Sequence, residues 1–246
     1  MPQFTFTFKR VEKKYLLTPE QYRLLRPTVM PYVKPDEFGK STILSLYLDT
    51  PDYRMIRSSI EAYNFKEKLR IRSYGVATPN SKVFLEAKRK YNGVVYKRRI
   101  GMKCSEADNY IENGTVPADT RIMKELDYTM EHYGRPAPAA LIICERQAFF
   151  FDDNPNLRIT FDENIRARVD ERLTLTDGTD GTLLLPEGYV LMEFKTDGTM
   201  PLWLARALNE LEIYPTSFSK YGTAYRNFLA DKCINNDKHK GVLNYA

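Results

Sequence analysis

The stretch FKEKLRIRSYG, residues 65–75, places cationic and apolar side chains alternately along the chain. Lys68, Arg70 and Arg72 are two residues apart, and residues at that spacing point to the same face of a β-strand. The stretch therefore predicts a strand with three cations on one face and mainly apolar side chains on the other. A half-exposed strand with a solvated basic face explains this pattern in one strand. Because like charges at this spacing repel, a bound anion is the alternative explanation.

The same alternation recurs in other strand-like stretches of the chain. The alternating charged residues are Arg10, Glu12 and Lys14; Glu86, Lys88 and Lys90; Lys97 and Arg99; Arg158 and Asp162; and Glu193 and Lys195. An outward charged face remains an explanation for each strand taken alone. A closed barrel, with its charges inside and its apolar residues outside, explains the whole set.

Such a barrel would enclose many cations, and this restricts what it could bind. Like charges repel strongly in a dry interior, so the barrel would need water, counter-ions or a polyanion. Phosphate chains meet this need, because arginine binds phosphate oxygens bidentately and lysine adds a point charge. The recurring pattern therefore favours a basic tunnel for phosphate groups.

The composition is that of an ordinary soluble globular protein. The chain has 246 residues, 43% of them apolar, and a net charge of +5, which is too weak to indicate nucleic acid. The three cysteines form no CxxC pair, so a reduced, cytoplasmic setting is expected. We find no signal peptide and no run of about 18 apolar residues, so no membrane span is expected.

The pattern of strands and helices predicts a single α+β domain over residues 1–230, followed by a polar tail over 231–246. Strands are predicted over 4–17, 41–50, 63–75, 81–93, 94–102, 138–152, 157–170 and 188–196. Helices are predicted over 18–29, 120–134, 201–213 and 220–232. Thr18 and Gln21 have the spacing of a capping box, and Asn92-Gly93 is typical of a hairpin turn. The predicted architecture is an antiparallel barrel with helices packed outside.

Eight stretches, in this order, carry a family resemblance. They are RVEKKYLL, LYLDT, KLRIRSYG, FLEAKRK, ERQAFF, LRITFDENIRAR, VLMEFK and SFSKYGTAYR. Together they resemble the VTC domain, the polyphosphate polymerase domain of vacuolar transporter chaperone proteins. This domain lies within the triphosphate tunnel metalloenzyme, or CYTH-like, superfamily. The resemblance runs from about Phe8 to about Phe228 and implies an antiparallel β-barrel whose walls form a basic tunnel.

The resemblance also implies roles for individual residues. The residues that would hold the triphosphate and clamp the reacting phosphates are Lys14, Arg70, Arg72, Lys88, Arg146, Arg158 and Lys220. The resemblance adds Ser219 as a substrate contact, and the alternating charge pattern adds Arg10, Lys68, Lys90, Lys97, Arg99 and Lys195. A divalent metal, Mn²⁺ or Mg²⁺, is expected on Glu193, with Glu12 and Glu86 as further candidates. Ser219 and Lys220 would act from the start of the last helix, where free N–H groups favour anions.

One departure from the superfamily pattern bears on the reaction. Triphosphatases of the superfamily typically begin with E-x-E-x-K, whereas this chain has Arg10, Glu12 and Lys14 at that spacing. The change removes one metal ligand and adds a cation. It therefore favours the polymerase branch over metal-rich hydrolysis.

Three functional hypotheses follow from these residues. The first is a polyphosphate polymerase that transfers the terminal phosphoryl group of ATP, or another nucleoside triphosphate, onto a growing chain. The second is an inorganic triphosphatase or polyphosphatase, and the third is a polyphosphate-binding module without catalysis. Polyphosphate, triphosphate and pyrophosphate are the expected partners, without nucleic acid. The sequence does not determine the oligomeric state. For the polymerase, we expect Arg70→Ala or Arg146→Ala to abolish activity and leave the fold intact.

Overall fold

The computed structural model describes residues 11–231, apart from 63, 93, 153, 155, 171 and 197. Arg10 and nearly all of the predicted polar tail therefore lie outside the described residues, as does Gly93 of the predicted hairpin turn. The chain forms two compact units. Unit 1 consists of Met1–Ser41, Glu145–Asn164 and Leu185–Phe218, and unit 2 of Thr42–Cys144, Ile165–Leu184 and Ser219–Ala246. Three long strands contribute residues to both units.

Ten strands and six α-helices make up the described residues. The strands are β1 (Val11–Leu17), β2 (Val33–Asp49), β3 (Phe65–Tyr74), β4 (Lys82–Tyr91), β5 (Val94–Lys103), β6 (Ala137–Phe151), β7 (Arg158–Arg168), β8 (Thr182–Leu183), β9 (Val190–Thr196) and β10 (Pro215–Thr216). The α-helices are α1 (Pro19–Val29), α2 (Arg54–Glu61), α3 (Cys104–Asn113), α4 (Arg121–His132), α5 (Leu202–Glu210) and α6 (Lys220–Ala224). A 3₁₀ turn, Met30–Tyr32, follows α1, and a π-helical turn, Tyr225–Leu229, follows α6.

In unit 1, antiparallel strands separate a charged face from an apolar face. The strand order is β10-β1-β9-β7-β6. Alternate residues of β1, β7 and β9, such as Tyr15, Phe161 and Phe194, are buried in an apolar core with Leu25 of α1 and Leu204 of α5. Because side chains alternate along a strand, Glu12 and Lys14 of β1, Asp162 of β7, and Glu193 and Lys195 of β9 lie on the other face.

Unit 2 repeats this division of faces. Its strands follow the order β2-β3-β4-β5, again antiparallel. Leu69 and Leu85 of the sheet are buried in one core with Met55 of α2, Tyr110 of α3 and Leu126 of α4. The opposite face of β3 carries Lys68, Arg70 and Arg72. This face we call the charged face of unit 2.

The α+β class and the mainly antiparallel sheet are confirmed. Among the described strands no pairing joins β10 to β5, so the hydrogen-bonded order is that of an open sheet. The capping box at Thr18 is confirmed, since its hydroxyl accepts from the Gln21 amide and the Gln21 side chain accepts from the Thr18 amide. The single domain over residues 1–230 stays a prediction. No helix of the described part of the chain is long and apolar enough to cross a membrane.

Two helices of the structure, α2 and α3, were not predicted from the sequence. Neither begins at a residue whose own side chain is a usual N-cap: Tyr53 precedes α2 and Lys103 precedes α3. The N-terminus of α2 is instead held by Asp49 at the end of β2, whose carboxylate accepts from the amides of Met55 and Ile56. A cap supplied from six or seven residues away leaves no local signal in the sequence.

Candidate functional site

The register of unit 2 aligns one row of polar side chains across four strands. Tyr47 of β2 lies opposite Arg70 of β3, Arg70 opposite Glu86 of β4, and Glu86 opposite Arg99 of β5. Residues opposite one another on the same face are within side-chain reach. The row therefore places one carboxylate between two guanidinium groups.

Glu86 is the centre of a compact group of charges. Its side chain is only 1% exposed, and four cationic side chains surround it. The carboxylate lies 2.7 Å from Arg70 Nη2, 2.7 Å from Lys97 Nζ, 3.3 Å from Arg99 Nε and 4.0 Å from Arg72 Nε. We call these five residues the Glu86 cluster. Four positive charges and one negative charge leave it with a net charge of +3.

The electrostatics of the cluster fix Glu86 in its ionised form. Burial alone would raise the pKa of Glu86, but the charges of Arg70, Arg72 and Lys97 outweigh burial and lower it to about 2. Burial and the two arginines lower the pKa of Lys97, against the opposing effect of Glu86. Because its buried carboxylate is in direct contact with Arg70 and Lys97, each at 2.7 Å, Glu86 fits the role of an internal counter-charge better than that of a metal ligand.

The charged face of unit 2 is not an ordinary solvated surface. The side chain of Arg70 is 19% exposed and that of Arg72 is 13% exposed. Arginines this deeply buried are rare unless they are paired. Here the positive charges outnumber the single carboxylate of the cluster. This arrangement favours the anion-binding explanation of the opening stretch over the solvated face.

Tyr47 adds a titratable group to this face that the sequence analysis did not select. Its hydroxyl accepts a hydrogen bond from Arg70 Nη1 at 3.1 Å. Burial would raise the pKa of Tyr47, but the charges of Arg70, Lys68 and Arg72 outweigh burial and lower it to about 8. The alternation of STILSLYLDT could have indicated Tyr47, but only the register shows that it lies opposite Arg70.

A second row of the same face carries three lysines. Lys68, Lys88 and Lys97 lie opposite one another on β3, β4 and β5. Lys68 Nζ donates to Ser219 Oγ at 2.8 Å, and the same oxygen accepts from the Gly222 amide and caps α6. These contacts join the lysine row to the start of the last helix, and the implied role of Ser219 and Lys220 in phosphate binding stays a prediction.

Behind the start of α6, a buried acid supports this part of unit 2. Tyr221 stacks on Tyr47 at a ring-centroid distance of 4.6 Å. The Tyr221 hydroxyl donates to Asp49 Oδ2 at 2.9 Å, and Asp49 also holds the N-terminus of α2. Burial raises the pKa of Asp49, against the hydrogen bonds that it accepts. Asp49 and Tyr221 are structural neighbours of the cluster that the sequence analysis did not select.

Unit 1 contains its own charge cluster, centred on Glu193. The Glu193 carboxylate lies 3.3 Å from Lys195 Nζ, 3.6 Å from Arg146 Nη2 and 3.9 Å from Lys14 Nζ. Glu12 is 3.7 Å from both Lys14 and Lys195. We call these five residues the Glu193 cluster. They lie on β1, β9 and β6, and the register places Lys14 opposite Glu193 and Glu12 opposite Lys195.

Arg146 also forms a bidentate ion pair with Asp162. Both donor–acceptor distances are 2.5 Å, and the Asp162 side chain is 0% exposed. Removing one partner of a buried pair costs roughly 3–5 kcal/mol, because the other charge is left uncompensated. We therefore expect Arg146→Ala to destabilise the fold, in contrast to the sequence-based expectation of an intact fold. The paired change Arg146→Gln with Asp162→Asn removes both charges.

The predicted site residues thus divide between the two units. Unit 2 brings together Arg70, Arg72, Lys97 and Arg99 around Glu86, with Lys68, Lys88 and Ser219 in the next row. Unit 1 brings together Lys14, Lys195, Arg146, Glu12 and Glu193. Three others remain: Lys90 is exposed near the end of β4, Lys220 is the first residue of α6, and Arg158 lies opposite Lys195 of the Glu193 cluster and pairs with Asp36 at 3.2 Å.

Comparison with protein families identifies the chain. The model of the VTC domain matches residues 9–229. The chain belongs to the VTC domain family. That match includes every described residue of both clusters, and it confirms the family to which the eight sequence stretches pointed. No curated protein has a sequence that matches this VTC domain chain.

Solved structures are similar to this chain at low sequence identity. A candidate adenylate cyclase from Bacillus halodurans is 13% identical, with 89% of this chain and 97% of that chain covered and a TM-score of 0.55. A protein from Pyrococcus horikoshii is 12% identical, with coverages of 89% and 99% and a TM-score of 0.46. A mimivirus capping enzyme triphosphatase is 10% identical, with coverages of 83% and 89% and a TM-score of 0.36. At 13% identity, the likeness to the Bacillus halodurans protein bears on the fold of the VTC domain alone.

Proposed function

We propose that this VTC domain is a polyphosphate polymerase, which transfers the terminal phosphoryl group of ATP onto a growing polyphosphate chain. The observation that carries the proposal is the Glu86 cluster, in which four cations surround one buried carboxylate with a net excess of three positive charges. Membership of the VTC domain family supports it. The departure of Arg10 from the triphosphatase pattern favours polymerisation over hydrolysis.

Within this proposal, the residues of unit 2 bind and orient phosphate groups. The guanidinium groups of Arg70, Arg72 and Arg99 offer planar pairs of N–H donors that match phosphate oxygens. Phosphoryl transfer needs mainly positioning and stabilisation of charge, with little covalent help from the protein. The attacking oxygen of a phosphate chain is already ionised at neutral pH, so no strong general base is required.

The family resemblance implies a divalent metal. The residues of unit 1 fit a metal ion that binds together with the phosphate groups of the substrate. Among the described residues, no group of three histidine, cysteine, aspartate or glutamate side chains could hold a metal by itself. Mg²⁺ is commonly held by one or two carboxylates together with substrate phosphates and water. Glu193 offers such a carboxylate. Opposite it on β7, the buried hydroxyl oxygen of Thr160 has no hydrogen-bond partner in the described part of the chain.

Glu193, with Glu12 as the second candidate, would hold this Mn²⁺ or Mg²⁺ ion. When bound, the metal would neutralise charge on phosphate oxygens. Lys14, Lys195 and Arg146 would add positive charge next to it and keep Glu193 oriented. Further phosphate contacts are proposed from Arg158, Lys88, Lys220 and Ser219. We also propose a cytoplasmic location.

The test is a product assay with purified protein, ATP and Mn²⁺, resolved on a gel that separates polyphosphate lengths. We expect a ladder of chains and an equal release of ADP. The matched variants are Arg72→Ala, on the charged face, and Arg98→Ala, which lies on the opposite face of β5 and pairs with Glu125. Arg72→Ala should lose at least 100-fold in rate, whereas Arg98→Ala should keep the rate of the unmodified protein.

Other products would overturn the polymerase assignment. Release of orthophosphate without chain growth would identify a hydrolase. Tight binding of polyphosphate without turnover, with short polyphosphate supplied as primer, would identify a binding module. Equal losses in both variants would show that the charged face of unit 2 has no special role.

A further inference from the structure

We propose that one end of the charged face of unit 2, formed by Tyr74, Phe84 and Arg99, binds the base of a nucleoside triphosphate by stacking. This inference rests on the proposed function, in which ATP is the substrate. The phosphate-binding residues account for the triphosphate of ATP, and the inference concerns its base. It adds to the proposed ATP-dependent transfer the side chains that would hold the base.

The three side chains form an open aromatic corner. Arg99 Cζ lies 3.6 Å from the centroid of the Phe84 ring and 5.8 Å from that of Tyr74. The Phe84 and Tyr74 rings meet edge to face at 5.9 Å. Tyr74 remains 46% exposed. A large aromatic side chain that is half-exposed beside a guanidinium group is suited to receive another flat ring.

Gly101 provides the space for this corner. It lies opposite Phe84 in the register of β4 and β5. A Cβ atom at this position would meet Lys82 Cε at 2.9 Å and Phe84 Cε1 at 3.3 Å. A side chain there would therefore push against the Phe84 ring. The missing side chain allows Phe84 to lie flat beneath Arg99.

The corner adjoins the phosphate-binding residues, because Arg99 belongs both to it and to the Glu86 cluster. Tyr74, Arg72 and Arg70 are two residues apart on the same face of β3. At a rise of about 3.3 Å per residue, Tyr74 is about 13 Å from Arg70 along the strand. A ribose and its phosphates link a base to its terminal phosphate over a comparable span. A nucleotide could therefore contact Tyr74 with its base and the Glu86 cluster with its phosphates.

The chemistry of the corner does not match a substrate made only of phosphate. Polyphosphate has no π-face, so an exposed aromatic ring gains little from contact with it. Stacking of a base on an aromatic side chain favours binding with little dependence on which base is present. The proposed site thus predicts nucleotide binding with weak preference among bases.

A different role for Tyr74 makes a different prediction. Its hydroxyl accepts from Arg99 Nη2 at 3.3 Å, so Tyr74 could act only by positioning that arginine. In that case, loss of Tyr74 would weaken every phosphate ligand, with or without a base. Tyr74→Phe removes the hydroxyl and keeps the ring, and so separates the two roles.

The experiment measures dissociation constants by isothermal titration calorimetry for ATP and for inorganic tripolyphosphate, without metal to prevent turnover. We expect Tyr74→Ala to weaken ATP binding about tenfold and to change tripolyphosphate binding less than twofold. Tyr74→Phe should bind both ligands as the unmodified protein does. The matched control is Tyr96→Ala, since Tyr96 is equally exposed at 45% but lies on the opposite face of β5.

Each remaining outcome contradicts one of the two proposals. Equal weakening of ATP and tripolyphosphate by Tyr74→Ala would assign Tyr74 to positioning, and no weakening of either would remove it from the site. In both cases tight tripolyphosphate binding would leave the proposed function standing. If the unmodified protein bound neither ligand, the proposed function itself would fail.

Discussion

At the scale of single residues, the position of Glu86 explains how four cations can be held close together. Its carboxylate is within 4.0 Å of Arg70, Arg72, Lys97 and Arg99, and it replaces the water that these side chains lose. Because one negative charge compensates only one of the four positive charges, the cluster keeps its attraction for anions. Glu86 thus stabilises the cluster without neutralising it.

The first prediction concerns Glu86→Gln. The folded-state pKa of Glu86 is lowered from 4.5 to about 2, so its contribution is present above pH 4.5 and lost as the pH falls toward 2. We estimate this contribution as on the order of 3 kcal/mol. The free energy of unfolding in urea should therefore be lower for Glu86→Gln at pH 6, and the difference should shrink between pH 4.5 and pH 3.

The exposed change Glu20→Gln on α1 serves as the control for this experiment. It should alter the free energy of unfolding by less than about 0.5 kcal/mol at pH 6. A difference between Glu86→Gln and the unmodified protein that stays constant down to pH 3 would contradict the role of Glu86 as an ionised counter-charge.

The second prediction concerns the ionisation of Tyr47. Its pKa of about 8 in the folded state, against 10.0 for an ordinary tyrosine, means that the folded protein gains stability as the pH rises from 8 to 10. Absorbance at 295 nm should show a step near pH 8 that Tyr47→Phe lacks. Saturating tripolyphosphate should move this step to higher pH, because a bound anion offsets the charges of Arg70 and Arg72. If tripolyphosphate left the pH of this absorbance step unchanged, the anion would bind away from Tyr47.

At the scale of elements, one buried carboxylate links a strand to two helices within unit 2. Asp49 ends β2, accepts from the amides of Met55 and Ile56 at the start of α2, and accepts from Tyr221 of α6. The same tyrosine stacks on Tyr47. The elements that support the charged face are therefore connected through a single side chain.

The third prediction is that Asp49→Ala destabilises the protein by about 3 kcal/mol, because it leaves buried N–H and O–H donors without an acceptor. Urea unfolding monitored by circular dichroism measures this change. Glu61→Ala, at the exposed C-terminal end of α2, is the control and should change the free energy of unfolding by less than about 0.5 kcal/mol. Similar effects of the two changes would show that Asp49 does not hold the start of α2.

At the scale of the whole molecule, each unit has one apolar face packed under helices and one face with paired and unbalanced charges. The chain as a whole carries a net charge of +5. This excess is modest, so the attraction for anions arises mainly from local clusters and falls off over a Debye length. Ligand binding should therefore be sensitive to salt and should not extend to every polyanion.

The fourth prediction is that tripolyphosphate raises the melting temperature of the protein at low salt. A ligand at 100 times its dissociation constant adds about 2.7 kcal/mol to the free energy of unfolding. In 1 M NaCl, where the Debye length is about 3 Å, most of this shift should disappear. Calorimetric scans with tripolyphosphate and with sulfate of equal ionic strength measure the effect. An equal shift with sulfate would indicate a general ionic effect.

The sequence by itself determined the local features of this protein. The two-residue period of Lys68, Arg70 and Arg72 assigned their shared face, and the capping box at Thr18 and Gln21 set the start of α1. These predictions succeeded because a strand face and a helix cap depend on residues a few positions apart. The family resemblance came from the same short stretches and is confirmed by the match over residues 9–229.

Only the tertiary structure decided which side chains meet. Strand register places Glu86 between Arg70 and Arg99, and Lys68 contacts Ser219 across a separation of 151 residues. The period of a strand shows which face a residue occupies, but it does not show which strand pairs with it or in which register. For this reason the sequence selected Glu86 as a metal ligand, whereas its surroundings in the fold favour a counter-charge.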